Sequence, residues 1–143
     1  MDAIDREIIG VLLYDGRASL AEIGKKVGLS SPAVKRRLDA LLDSGVISGF
    51  TAIVAPEHLG WGVEAYVELH FKGRVPATEI KAALVKIPEV TDAATVSGTA
   101  DTLVHLRAKD MVHLEKALER IRVEADVHHT DTSIVLSRLI ERK

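Results

Sequence analysis

Charge gathers in one place in this 143-residue chain. The stretch 24–38 holds Lys25, Lys26, Lys35, Arg36 and Arg37 and no acidic residue, although the whole chain carries a net charge of -2. Guanidinium and ammonium groups bind phosphate oxygens, and an arginine can also reach the acceptor edge of guanine, so the chemistry open to this stretch is nucleic-acid recognition. Bulk electrostatics is excluded, because the seven basic side chains of 1–50 are matched by seven acidic ones. A charge run on a helix is by itself most often a solvated face, so the residues around it decide. Ser30, Ser31, Pro32 and Ala33 stand just ahead of the cations. Small side chains at the start of a helix let it come close to base edges, with Arg36 reaching bases and Lys35 and Arg37 reaching phosphates. Lys25 and Lys26 fit a phosphate contact and a helix-dipole role about equally.

The other reactive side chains point nowhere comparable. Six histidines (His58, His70, His105, His113, His128, His129) show no helical His-x3-His spacing, and neighbours on a strand such as His128 and His129 face opposite ways. No metal and no cofactor is therefore expected. Cysteine is absent, which removes disulfides, thiolate nucleophiles and cysteine-ligated metals. No Gly-x-Ser-x-Gly, phosphate loop or dinucleotide fingerprint occurs, and the chain is not expected to be an enzyme. The first residues include acidic Asp2, Asp5 and Glu7 where a signal peptide needs positive charge, and no apolar run approaches a membrane span. A cytoplasmic protein without membrane contact is expected.

The elements that must position the cations follow from spacing. Ile4, Ile8, Val11 and Leu12 form the stripe of a first helix ending near Gly16. Ser19 three residues before Glu22 is a capping box for a second, short helix that stops at Gly28. Serines followed by Pro32 start a third helix, with Val34, Leu38, Leu41 and Leu42 inward, which closes at Gly45. At about 100° per residue this turns Pro32, Ala33, Arg36 and Ala40 outward, the layout of a helix-turn-helix.

Beyond it, 46–54 reads as a strand, and 57–62, which contains Trp61, as a linker. Val63, Ala65, Val67, Leu69 and Phe71 alternate with polar residues as a strand. A helix follows from Pro76 to Pro88, then strands over 90–99 and 102–108, a helix capped by Asp110, and a strand over 128–140. The order βαββαβ predicts a four-stranded antiparallel sheet with both helices on one face. Apolar residues on both strand faces, Leu103 beside Val104 and Ile134 beside Val135, predict that a second subunit covers the other face. The expected domains are 1–50, a strand and linker over 51–62, and 63–143.

These pieces together resemble the Lrp/AsnC family, the feast/famine regulators. The likeness is carried by Ile4, Asp5 and Arg6 through Leu12, by Asp15 to Ser19, by Val27, Gly28, Leu29 and Ser30, by Val34 with Arg36, Arg37 and Leu38, by Gly45, Val46 and Ile47, and by the turn around Ser97 and Gly98. The resemblance implies an α+β fold, a winged helix-turn-helix followed by a ferredoxin-like βαββαβ domain in a dimeric α/β sandwich, with tetramers of dimers as a larger assembly. It also implies a transcriptional regulator that binds double-stranded DNA at promoters and responds to a small effector, an amino acid. In the family the effector turn reads threonine or serine, glycine, a polar residue, an aromatic residue, aspartate; here it is Ser97, Gly98, Thr99, Ala100 and Asp101, with Ala100 in the aromatic place. Amides beside a glycine can hold a carboxylate and Asp101 an ammonium group. By residue type alone a tight turn capped by Asp101 is the simpler reading, and the resemblance tips it toward a binding site, with Thr130 and Thr132 as further candidates. Sirohaem decarboxylases resemble the same family in both domains and make a rival reading as an enzyme, as does a purely structural oligomer; the retained cations Lys35, Arg36 and Arg37 favour DNA.

Overall fold

The computed structural model describes residues 1–140, which divide into two units, one over Met1–Ile53 and one from Val54 onward. The first unit is three helices, α1 (Ala3–Tyr14), α2 (Leu20–Val27) and α3 (Ser31–Asp43). Local signals set their ends. Asp2 accepts from the Asp5 amide while the Asp5 carboxylate accepts from the Asp2 amide, a reciprocal cap on α1, and Ser19 with Glu22 does the same for α2. Gly28, at φ 71°, ends α2 in the left-handed region. Pro32 lies in the first turn of α3, where its missing N–H costs nothing. Ile8, Ile23, Val34 and Leu41, one or two from each helix, bury together as the core, each contributing about 1.5–3 kcal/mol.

The second unit holds a short 3-10 turn (Pro56–Leu59), then β1 (Val63–His70), α4 (Ala77–Leu84), β2 (Val90–Thr95), β3 (Thr102–Ala108), α5 (Met111–Glu124) and β4 (His129–Ile134). The strands lie in the order β2-β3-β1-β4, all neighbours antiparallel. Alternation makes one face apolar: Ala65, Val67, Leu69, Val104, Leu106 and Ala108 are fully buried with Ile80 and Leu84 of α4 and Leu114 and Ile121 of α5. The opposite face carries Glu64, Tyr66, Glu68, His70, Leu103, His105 and Arg107. Among the described residues no helix is long and apolar enough to cross a membrane.

Three expected strands are corrected. The segment 46–54 forms no strand. Among the described residues no strand takes its ladder bonds, and the Ile47 amide turns back to donate to the Leu41 carbonyl at 3.0 Å. The strand expected over 128–140 stops at Ile134, because β1 begins at Val63 and offers little backbone beyond the Ala65–Ile134 pair. One last bond, Val135 N–H to the Glu64 carbonyl at 2.9 Å, closes that edge. Likewise β2 ends at Thr95 rather than 99, where its pairing with Thr102 runs out. The helix from Pro76 stops at Leu84, short of Pro88, although Ile87 is still buried.

Candidate DNA-reading helix and effector loop

α3 reaches its place through a turn only glycine permits. A Cβ on Gly24 would lie 2.4 Å from the Leu29 carbonyl oxygen, so its absence lets α2 press against the turn, and the Leu29 amide donates to the Gly24 carbonyl at 3.0 Å. Spacing alone did not single out Gly24, since a glycine inside a helical pattern says nothing about what approaches it. With Val34 and Leu41 buried, the opposite side of α3 faces solvent: Pro32, Lys35, Arg36 and Ala40 are exposed, and Ala33 and Ser31 are half-buried. Ser30 is exposed and makes no side-chain cap.

The cations of the stretch are not equivalent. Arg36 has no ion pair among the described residues, whereas Lys35 Nζ lies 2.6 Å from Asp39, one turn along. Arg37 is half-buried and donates through Nη1 to Asp2 Oδ2 at 2.7 Å and Asp5 Oδ1 at 2.8 Å. The Asp5 amide first, and the Arg37 guanidinium second, hold the Asp2 carboxyl below its usual range. Arg37 thus ties α3 to the capped start of α1. Those two aspartates, more than thirty residues away, gave no signal in a local reading. Lys25 and Lys26 sit in the last turn of α2, Lys26 Nζ 6.0 Å from the centre of the Tyr14 ring.

In the second unit the loop between β2 and β3 carries Ser97, Gly98 and Thr99 exposed and Ala100 buried. Its base is closed by the Val96 amide donating to the Asp101 carbonyl at 3.2 Å. Asp101 locks the loop to β1 twice: its amide donates to the Leu69 carbonyl at 3.0 Å, and its Oδ2 accepts from the Phe71 amide at 2.9 Å. The His70 Nδ1–H donates to the Thr99 carbonyl at 3.1 Å. Asp101 therefore does cap a turn, and its Oδ1 makes no hydrogen bond among the described residues. Gly98 has no left-handed φ, and a Cβ there would meet nothing within 4 Å. The loop does not need glycine for its backbone, and the space beside Gly98 is open. Thr130 and Thr132 stand opposite Leu69 and Val67 on the helix-covered side. Thr130 shares the loop's end of the sheet and accepts from Arg122 Nη2 at 3.0 Å, while Thr132 is one pleat farther off.

Residues 1–42 match the AsnC-type helix-turn-helix domain and residues 64–143 the Lrp/AsnC ligand binding domain. The chain is 53% identical over 142 residues to the HTH-type transcriptional regulator Rv2324 of Mycobacterium tuberculosis, covering 99% of this chain and 96% of that one. The feast or famine regulatory protein of M. tuberculosis complexed with L-methionine has a similar structure, with TM-score 0.91 and 33% identity, covering 98% of this chain and 95% of that one. A transcriptional regulator of Neisseria meningitidis in complex with L-methionine is 26% identical, with TM-score 0.89, covering 99% of this chain and 94% of that one.

Proposed function

The chain belongs to the Lrp/AsnC family of transcriptional regulators, and from that premise we propose that α3 reads promoter DNA in the major groove while the second unit binds an amino acid. The chain is a regulator rather than a decarboxylase, since its relatives are named HTH-type transcriptional regulators. The observation that carries the DNA reading is the exposed side of α3, where Arg36 stands free behind Pro32 and Ala33 over a buried core. Arg36 reads bases, Lys35 and the last-turn Lys25 and Lys26 meet phosphates, and Ser30 and Ser31 donate hydroxyls to the backbone. Arg37 supports the helix from behind.

The effector reading rests on the loop Ser97–Gly98–Thr99–Ala100–Asp101. Exposed loop amides and the open space at Gly98 suit an α-carboxylate, and Asp101 Oδ1 suits an α-ammonium group. The small, buried Ala100 stands where the family usually has an aromatic residue, so it leaves the effector's side chain more room. A second copy of the chain covers the outer sheet face around Tyr66 and Leu103, giving a homodimer, with a tetramer of dimers as the larger state.

The test pairs two measurements on the full chain. Selection of bound fragments from genomic DNA yields a shared motif, and a thermal-shift screen of the twenty amino acids finds one that raises the melting temperature, because ligand that binds only the folded state stabilises it. Gly98→Leu keeps the unliganded melting temperature and loses that rise. No fragment enriched at low salt refutes the DNA reading; an unchanged rise in Gly98→Leu refutes the loop as the effector site.

A further inference from the structure

On the outer face of the sheet β1 and β4 place four potential ligands in a square. Glu68 pairs with Asp131 and His70 with His129 in the antiparallel register. Their side chains share one side of the sheet because each pair is two residues apart along its strand. His70 Nε2 lies 3.5 Å from Asp131 Oδ2 and 3.9 Å from Glu68 Oε2, and His129 Nε2 lies 3.2 Å from the same Asp131 oxygen. The ligand atoms of Glu68, His70 and Asp131 all fall within 4.8 Å of one another.

The state of His70 decides what belongs among them. Its Nδ1 faces the Thr99 carbonyl, which can only accept, so Nδ1 carries the proton. In the neutral ring Nε2 then presents a lone pair. That atom is buried with no hydrogen-bond partner among the described residues, and carboxylate oxygens lie 3.5 and 3.9 Å from it. A lone pair turned toward two carboxylates is unfavourable unless a cation sits between them. A metal-binding histidine characteristically gives its other N–H to a carbonyl in this way, fixing the ring. The spacings also suit a metal: bonds of about 2.0–2.1 Å in a tetrahedral site put ligand atoms about 3.3–3.4 Å apart, near the 3.2 and 3.5 Å separations found here.

We propose that Glu68, His70 and Asp131, whose ligand atoms converge, form a site for a first-row divalent transition metal, for which mixed imidazole and carboxylate ligands are suited, with His129, 3.2 Å from Asp131, as an added ligand. Because His70 also holds Thr99, an occupied site steadies the loop from Ser97 to Asp101. The site requires neither the DNA nor the effector reading, and it lies on the sheet face that the dimer reading covers, beside Leu103.

Isothermal titration of Zn2+ into the chelator-treated full chain at neutral pH tests it. One Zn2+ binds per chain, and Co2+ in its place gives the intense visible bands of a four-coordinate ion. His129→Ala and Asp131→Asn, both at exposed positions, weaken binding by at least the roughly 10- to 100-fold that loss of even an outer partner costs. His58→Ala and His128→Ala leave it unchanged. The main competitor is a proton: His70 as an imidazolium paired with Asp131. In that case no site-specific Zn2+ binding occurs, or all four variants bind alike, and either result overturns the proposal.

Discussion

Arg36 and Arg37 are adjacent in sequence, alike in chemistry and divided in task. A helix turns about 100° per residue, which leaves Arg36 in solvent while Arg37 swings to Asp2 and Asp5. Arg36→Ala is expected to weaken specific DNA binding by about 1–3 kcal/mol and to relax base preference at one position, read by fluorescence anisotropy at fixed salt. Equal affinity of the two proteins would remove Arg36 from the interface. Arg37→Ala acts first on folding, lowering the urea midpoint of the N-terminal unit. The outward face of α3 was legible because it depends on neighbours three and four residues away. The Arg37 partners were not, because nothing near position 37 announces two carboxylates at the chain's start.

Among the elements, those with local punctuation were read well. Ser19 with Glu22, Gly28, Pro32 and Asp110 each satisfy or release backbone groups within a few residues, so the helix ends they mark follow directly from sequence. Gly24 shows the limit. Its need for no side chain comes from the Leu29 carbonyl 2.4 Å from where a Cβ would stand. Alanine gains about 1 kcal/mol of helix propensity, and pushing backbone aside costs about 1–3 kcal/mol or more. Gly24→Ala is therefore expected to destabilise the first unit by up to about 2 kcal/mol in urea unfolding; a more stable variant would refute the close approach. Strand ends were read poorly for a related reason, since a strand lasts only as long as its neighbour. That is why 128–140 fell short at Ile134 and 46–54 did not form at all.

At the scale of the whole molecule, Glu64 and Glu89 of the second unit contribute to the response to acid. Burial on its own would raise Glu64, but His105, Arg138 and Arg107 outweigh it and hold the carboxyl below its usual value. Glu89 is likewise pushed up by burial and held low overall by its own amide, Arg120 and His113. A carboxyl depressed in the folded state stabilises the fold above its unfolded value and loses that contribution as pH falls through the folded one. Urea midpoints should stay level from neutrality to about pH 5 and drop below about 4.5, and Glu89→Gln should flatten part of that drop. An unaltered acid profile in Glu89→Gln would refute the assignment. At the same scale, the proposed dimer predicts a light-scattering mass of two chains that Tyr66→Lys, which places a charge on the outer sheet face, shifts toward one; a mass that Tyr66→Lys leaves unchanged would refute this face as the contact.

The amino-acid order determined the periodic faces, the caps, the succession βαββαβ and the concentration of cations on the second and third helices. All of these arise from interactions within about four residues, or from an alternation that any strand must show. The tertiary structure alone decided which charges are spent inside the fold and where each strand runs out of partner. It also set Glu68 and His70 opposite Asp131 and His129, some sixty residues apart in the chain. Pairing across a sheet is fixed by register between distant segments, and no local spacing carries that information.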